Sequence, residues 1–107
     1  KKIKTIVKPA LETLEEFKHD NLIFDIIFID ADKNNYINYY DKVIQMTKSG
    51  GLIIIDNVLW HGEVADAENK EKFTKIIRDF NTFVKNDKRT DQVILPLGDG
   101  LTICRKL

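Results

Sequence analysis

Two short stretches of this sequence carry the residue types that can do chemistry. Asp30, Asp32 and Lys33 follow the run Phe24-Asp25-Ile26-Ile27-Phe28-Ile29, and Asp56 and Asn57 follow Leu52-Ile53-Ile54-Ile55. Runs this apolar are expected of strands buried on both faces, as in a parallel sheet. Consecutive parallel strands joined by one crossover usually lie side by side, so their C-terminal ends stand about 5 Å apart. Asp30 and Asp56 would then converge, with Asn57 beside them. Two carboxylates and an amide carbonyl form a hard-oxygen cluster suited to Mg²⁺, Mn²⁺ or Ca²⁺. A tetrahedral zinc site is not expected, because Cys104, His19 and His61 are the only cysteine and histidines. The structural alternative is that an Asp at a strand end caps a helix or shapes a turn. Lys33 suits a general base if it lies beside a bound cation and away from bulk water; taken singly it reads as a solvated surface charge.

Trp60 and His61 lie in the loop after Asp56-Asn57. An exposed aromatic there could wall a flat substrate, or the Trp could close the rim of the core. His61 alone reads as a plain loop residue. Tyr36, Tyr39 and Tyr40 crowd the first turns of a helix above the site, where helical spacing makes one or two of them core. Arg78 and Arg89 could hold an anion but read first as surface charges. The five glycines, at 50, 51, 62, 98 and 100, build no Gly-rich loop between a strand and a helix. The main cradle of any nucleoside cofactor is therefore expected outside these residues.

The elements that must position these groups alternate along the chain. Ile3 to Val7 is a short β-branched run that reads as a strand. Pro9 suits the first turn of a helix carrying Leu11, Leu14 and Phe17. After the first apolar strand a helix is expected through "NNYINYYDKVIQMTK", stopped by Gly50-Gly51. Phe73, Ile76, Ile77, Phe80, Phe83 and Val84 then mark one face of a strongly amphipathic helix. Val93 to Leu97 and Leu101 to Cys104 flank Gly98-Asp99-Gly100 as a β-hairpin. The pattern predicts an α/β fold with a mostly parallel sheet and an antiparallel edge, with ligands beyond the carboxyl ends of the strands.

The 107 residues suffice for one small domain. Seventeen basic and seventeen acidic residues cancel, so no basic surplus favours nucleic acid or an anionic membrane. No apolar run reaches the length of a membrane span. The single cysteine cannot form an internal disulfide, and Lys1-Lys2 opens no signal peptide, so a cytoplasmic location is expected.

The segments "FDIIFIDADKNNYINYY", "GGLIIIDNVLWHGEV" and "FNTFVKNDKRTDQVILPLGDGLTICRK" resemble the cation-dependent class I O-methyltransferases of the caffeoyl-CoA and catechol type. The resemblance runs from about Ala10 to Lys106. It implies a Rossmann-like, seven-stranded fold that binds S-adenosylmethionine, of which residues 1–107 would be the C-terminal portion of a single domain, lacking the N-terminal strands. It implies that Asp30, Asp56 and Asn57 hold a divalent cation, Mg²⁺ first and Mn²⁺ or Ca²⁺ as alternatives, and that Lys33 is the base, with Asp30 beside it. Ala10, Asp30, Asp32 and Tyr39 match positions near the methyl donor, and Trp60 and His61 match the acceptor pocket. His61 replaces an Asn common in the plant enzymes, and Lys8 stands where relatives often carry Gly. The implied reaction is methyl transfer to a phenolic, catechol-like acceptor. With the preceding strands missing, strand 24–29 would be an exposed edge, and a homodimer or a domain-swapped form through that edge, poorly active on its own, is expected. A carboxylate-metal hydrolase and a non-catalytic binding module are the competing readings.

Overall fold

Pro9 stands immediately before the first helix, α1 (Ala10–His19), with the φ of −53° that its ring imposes. The computed structural model describes residues 2–107, so Lys1 lies outside the described residues. After α1 come β1 (Phe24–Ile29), α2 (Tyr36–Ile44), β2 (Thr47–Asp56), α3 (Lys72–Lys85), β3 (Thr90–Leu95) and β4 (Leu101–Lys106). A single turn of 3₁₀ helix occupies Lys33–Asn35, and Trp60–Ala65 is 3₁₀-like but interrupted by a kink at His61-Gly62. The four strands form one sheet in the order β1-β2-β4-β3. The β1–β2 pair is parallel and the other two pairs are antiparallel. The α/β class, the adjacency of the two apolar strands and the closing hairpin are as expected from the sequence.

The core lies between one face of the sheet and the helices. Alternation along the strands sends Ile29, Ile53, Ile55 and Cys104 to that face, where they meet Tyr36, Tyr40 and Val43 of α2 and Ile77, Phe80 and Val84 of α3. Phe80 is fully buried and meets Tyr36 and Tyr40 edge-on, with ring centroids 5.2 and 6.0 Å apart. Tyr40 Oη reaches Thr90 Oγ1 at 3.0 Å, so the hydroxyl of this fully buried ring is satisfied. The opposite face is different. The register sets Phe28, Ile54, Ile103 and Val93 in one row across all four strands. Phe28 and Val93 remain 57% and 52% exposed there.

Two expectations need correction. Residues 3–7 form no strand: Ile3 and Val7 are almost wholly exposed, and among the described residues the sheet ends at β1. A β-branched run has strand propensity but needs a ladder to pair with. The glycine pair does not stop α2 either. The helix ends at Ile44, where Met46 N–H still donates to Val43 O at 3.0 Å. The chain passes directly into β2, whose pairing starts at Phe24–Thr47 and shifts register before Ile26–Leu52. Gly51 sits in that irregular stretch because a Cβ there would lie 2.7 Å from Asp25 O. Among the described residues, no helix is long and apolar enough to cross a membrane.

Because Phe80 joins both tyrosines of α2 to α3, Phe80→Ala should cost about 3–5 kcal/mol of stability. Urea unfolding followed by circular dichroism will measure it, and a loss below about 1 kcal/mol would show that this cluster does not hold the fold.

Candidate active site

The parallel register places Ile29 opposite Ile55, so Asp30 and Asp56 are the next residues along two paired strands. Asn57 follows with φ 65°, a left-handed conformation that Asn tolerates better than most residues. Its backbone N–H donates to Asp56 Oδ1 at 2.7 Å, which holds that carboxylate. Among the described residues no three His, Cys, Asp or Glu side chains gather as a metal-holding group. The candidate oxygen set is therefore the two carboxylates and the Asn57 amide.

Lys33 is not a surface charge. Its side chain is 13% exposed, and Nζ donates to Ala31 O at 2.8 Å and to Tyr36 Oη at 2.7 Å, with Asp30 Oδ1 at 3.4 Å. Tyr36 Oη in turn donates to Asp56 O at 2.9 Å. One buried hydroxyl thus ties the segment after β1 to the end of β2. Burial pushes the Tyr36 hydroxyl well above its ordinary pKa, and the surrounding carboxylates add to the effect, so it stays a neutral donor. Helical spacing marks the tyrosines as core or contacts and does not reveal this bridge. Lys33 and Tyr36, three residues apart, are the only local signal of it.

Next to this cluster lies an open cavity of about 290 Å³, walled in part by Ala10, Thr13, Phe28, Asp30 and Tyr39. It brings together three of the four residues expected near the methyl donor. The fourth, Asp32, does not border it but accepts the Tyr39 hydroxyl on Oδ1 and Asn35 Nδ2 at 2.5 Å on Oδ2. Those two bonds hold the Asp32 carboxyl below its ordinary value. Burial, followed by the bond to Asp32, pushes the Tyr39 hydroxyl up to about 12.

Trp60 and His61 do not border this cavity. Trp60 packs on the core and lies 6.2 Å from Phe73, ring centroid to centroid. His61 is largely exposed. Trp60, His61 and Gly62 all have positive φ. That backbone costs about 1–3 kcal/mol per strained non-glycine residue, so something must hold it. Arg78 does part of this: its guanidinium donates to Val64 O at 3.0 Å, Asn69 O at 2.8 Å and Glu63 O at 3.3 Å, and also to Asp66 O. Arg78 is therefore a clamp on the loop rather than an anion site, and Arg89 pairs with Asp87 and Asp41. The other restraint is Asp99, which in the sequence is only part of a turn. Its Oδ1 accepts the His61 N–H at 2.5 Å and its Oδ2 accepts Asn57 Nδ2 at 2.9 Å. Burial acts to raise the Asp99 carboxyl, but these bonds outweigh it and leave it below the ordinary value.

A family model described as O-methyltransferase matches residues 1–107. The chain belongs to the O-methyltransferase family. It is 43% identical to caffeoyl-CoA O-methyltransferase 5 of Nicotiana tabacum over 92% of this chain and 44% of that enzyme. The crystal structure of a Podospora anserina methyltransferase bound to SAH superposes with a TM-score of 0.85 at 27% identity, covering 100% of this chain and 50% of that one. An O-methyltransferase from Bacillus cereus in complex with SAH gives 0.78 at 30% identity, covering 92% of this chain and 48% of that one. The chain spans less than half the length of the curated relatives it matches.

The Tyr39–Asp32 bond makes a pH-dependent contribution. A depressed folded-state carboxyl stabilises the fold above its unfolded pKa, and that stability is lost as pH falls through the folded value. Tyr39→Phe should therefore cost less than about 1 kcal/mol at pH 7, because Asp32 is exposed. The difference from wild type should vanish well below pH 3.8, the ordinary Asp value. Thermal melts from neutral pH down into strong acid check this; a gap that persists at the acid end would assign the effect to packing.

Proposed function

We propose that the full protein transfers a methyl group from S-adenosylmethionine to a hydroxyl of a catechol-like phenol, with a divalent cation at Asp30, Asp56 and Asn57. The observation that carries this reading is the double position of Asp30. It borders the cavity that Ala10 and Tyr39 also wall, and it follows the strand position paired with Ile55, next to Asp56. A donor in that cavity and an acceptor at the oxygen cluster would thus be neighbours. Both solved relatives named above hold SAH, the demethylated product of such a donor. The tobacco relative's name supports a caffeoyl-type acceptor.

The residues of this chain have separable tasks. Asp30, Asp56 and Asn57 would supply only hard oxygen donors, a set that fits Mg²⁺ and also Mn²⁺ or Ca²⁺. A cation there would act as a Lewis acid that favours the ionised acceptor hydroxyl and fixes its direction. Lys33 Nζ, fixed by Ala31 O and Tyr36 Oη, would take or share the acceptor's proton. Asp32 fixes the Tyr39 ring at the wall of the donor cavity. Trp60 and Phe73, with His61 at the rim, would form the acceptor side. Holding the two substrates in line contributes much of the rate.

The test is transfer of a labelled methyl from S-adenosylmethionine to a caffeoyl-type catechol by the full-length gene product. Mg²⁺-supported transfer should be abolished by EDTA, and Asp56→Ala should lower it by about 100-fold or more. Transfer that survives EDTA would sink the cation assignment, and its absence from the metal-loaded protein would sink the acceptor.

We further propose that residues 1–107, expressed alone, form a homodimer through β1. Ile26 and Phe28 are 60% and 57% exposed on this edge strand, and an uncovered apolar edge templates pairing with another chain. Light scattering should report a dimer, and Phe28→Lys should shift it toward monomer. A monomeric wild-type chain with slow amide exchange in β1 would count against the pairing.

A further inference from the structure

Asp99 lies in the β3–β4 loop, far in sequence from both acidic motifs, yet its carboxylate reaches directly into the second of them. Oδ2 accepts Asn57 Nδ2 and Oδ1 accepts the His61 backbone N–H. The loop is docked there by its backbone as well. Asp99 O accepts Leu59 N–H at 3.0 Å and Gly100 O accepts Val58 N–H at 3.4 Å. Gly100 packs so closely that a Cβ would stand 2.5 Å from Leu59 Cγ. The Asp99 side chain is only 15% exposed, and its bond to Asn57 is partly buried.

An Asn amide carries a donor end and an acceptor end of nearly identical shape, and only the oxygen can bind a cation. An ionised carboxylate accepts and never donates, so an Asp at 99 admits only the Asn57 NH₂ on its side. The oxygen is then turned away from Asp99, and among the described residues no hydrogen bond engages it. We propose that Asp99 is a positioning residue that sets the polarity of the Asn57 amide and so presents its oxygen to the cation. This rests on the cation reading above. Side chains of this kind, hydrogen-bonded behind a metal ligand, typically change metal affinity about 10–100-fold when lost.

The donor and acceptor logic gives a test that simple loss of packing does not mimic. In Asp99→Asn one of the two acceptors becomes an NH₂. If the new amide keeps the His61 bond through its oxygen, its NH₂ faces Asn57, whose amide must turn over and offer its own NH₂ to the cation. The reciprocal swap Asn57→Asp with Asp99→Asn restores both bonds with the donor reversed and keeps an oxygen at the cation position. Mn²⁺ binding to the full-length gene product, read by electron paramagnetic resonance, should weaken about 10–100-fold in D99N and recover to at least the wild-type level in the swap, where the carboxylate of Asn57→Asp again turns an oxygen to the cation and adds its charge. Melting temperatures in EDTA should change little across the series. Unchanged affinity in D99N would overturn the positioning role while leaving the cation site standing. Weak binding in both D99N and the swap would place the effect of Asp99 in the folding of the loop, and would overturn it too. A wild-type protein that binds no Mn²⁺ would remove the cation reading and this role with it.

Discussion

The parallel pairing of β1 with β2 is the constraint on which the rest depends. Ile53 and Ile55 are completely buried against α2 and α3, and Ile29 nearly so. A slip of one residue in either strand would send that set to the opposite face of the sheet, so the core enforces the register. The register, in turn, brings Asp30 and Asp56 level. The hydroxyl of Tyr36, accepting from Lys33 and donating to Asp56 O, fastens the same two strand ends from the helix side. Hydrophobic burial therefore sets which strand positions precede the two acidic residues, and a single buried hydrogen-bonding group sets the position of the amine near them.

The second motif has a different mechanical basis. Beyond Asp56 the chain leaves the sheet through left-handed residues at Asn57, Trp60 and His61. That path is unfavourable in an unsupported loop, and the supports come from two distant elements. Arg78 on α3 gathers four loop carbonyls, and the β3–β4 turn supplies Asp99 and two backbone acceptors. A guanidinium is suited to the first role because its donors form a rigid fork. A carboxylate is suited to the second because both of its oxygens accept. Precision at a strand end thus comes from the core, and precision in the adjoining loop comes from charged groups that satisfy strained backbone.

How much of this is legible in the sequence follows from the range of each signal. The apolar runs before Asp30 and Asp56 are local and strong, so β1, the end of β2 and the meeting of their acidic termini can be read directly. The 3.6-residue period of Ile77, Phe80 and Val84 likewise locates α3. Thr74 escapes because its burial rests on the tertiary environment around Glu63, not on hydrophobicity. The start of β2 is hidden by Lys48-Ser49-Gly50, whose composition is that of a turn, and the strand bulges there between its first pair at Thr47 and the resumption of pairing at Leu52. Residues 3–7 err the other way: propensity without a partner strand makes no sheet. Asp99 is invisible for the plainest reason. It lies 42 residues beyond Asn57, and only the docking of a hairpin onto a loop brings them together.

These distances in sequence separate the two sides of the proposed reaction. The three candidate cation ligands, the Lys33–Tyr36 bridge and the Asp99 and Arg78 restraints all come from residues 30 to 99, and all are anchored to one core. The cation side is therefore a product of the same folding event that buries Ile53, Ile55 and Phe80. The donor side is built differently. Its cavity runs along the edge strand β1, between α1 and Phe28, and Lys8 and Ile6 border it from a segment without regular structure. Its walls rest on surface that the core does not cover. Order at the cation side should consequently track global stability, whereas order at the donor side should depend on whatever packs against β1 and the exposed row of Phe28, Ile54, Ile103 and Val93.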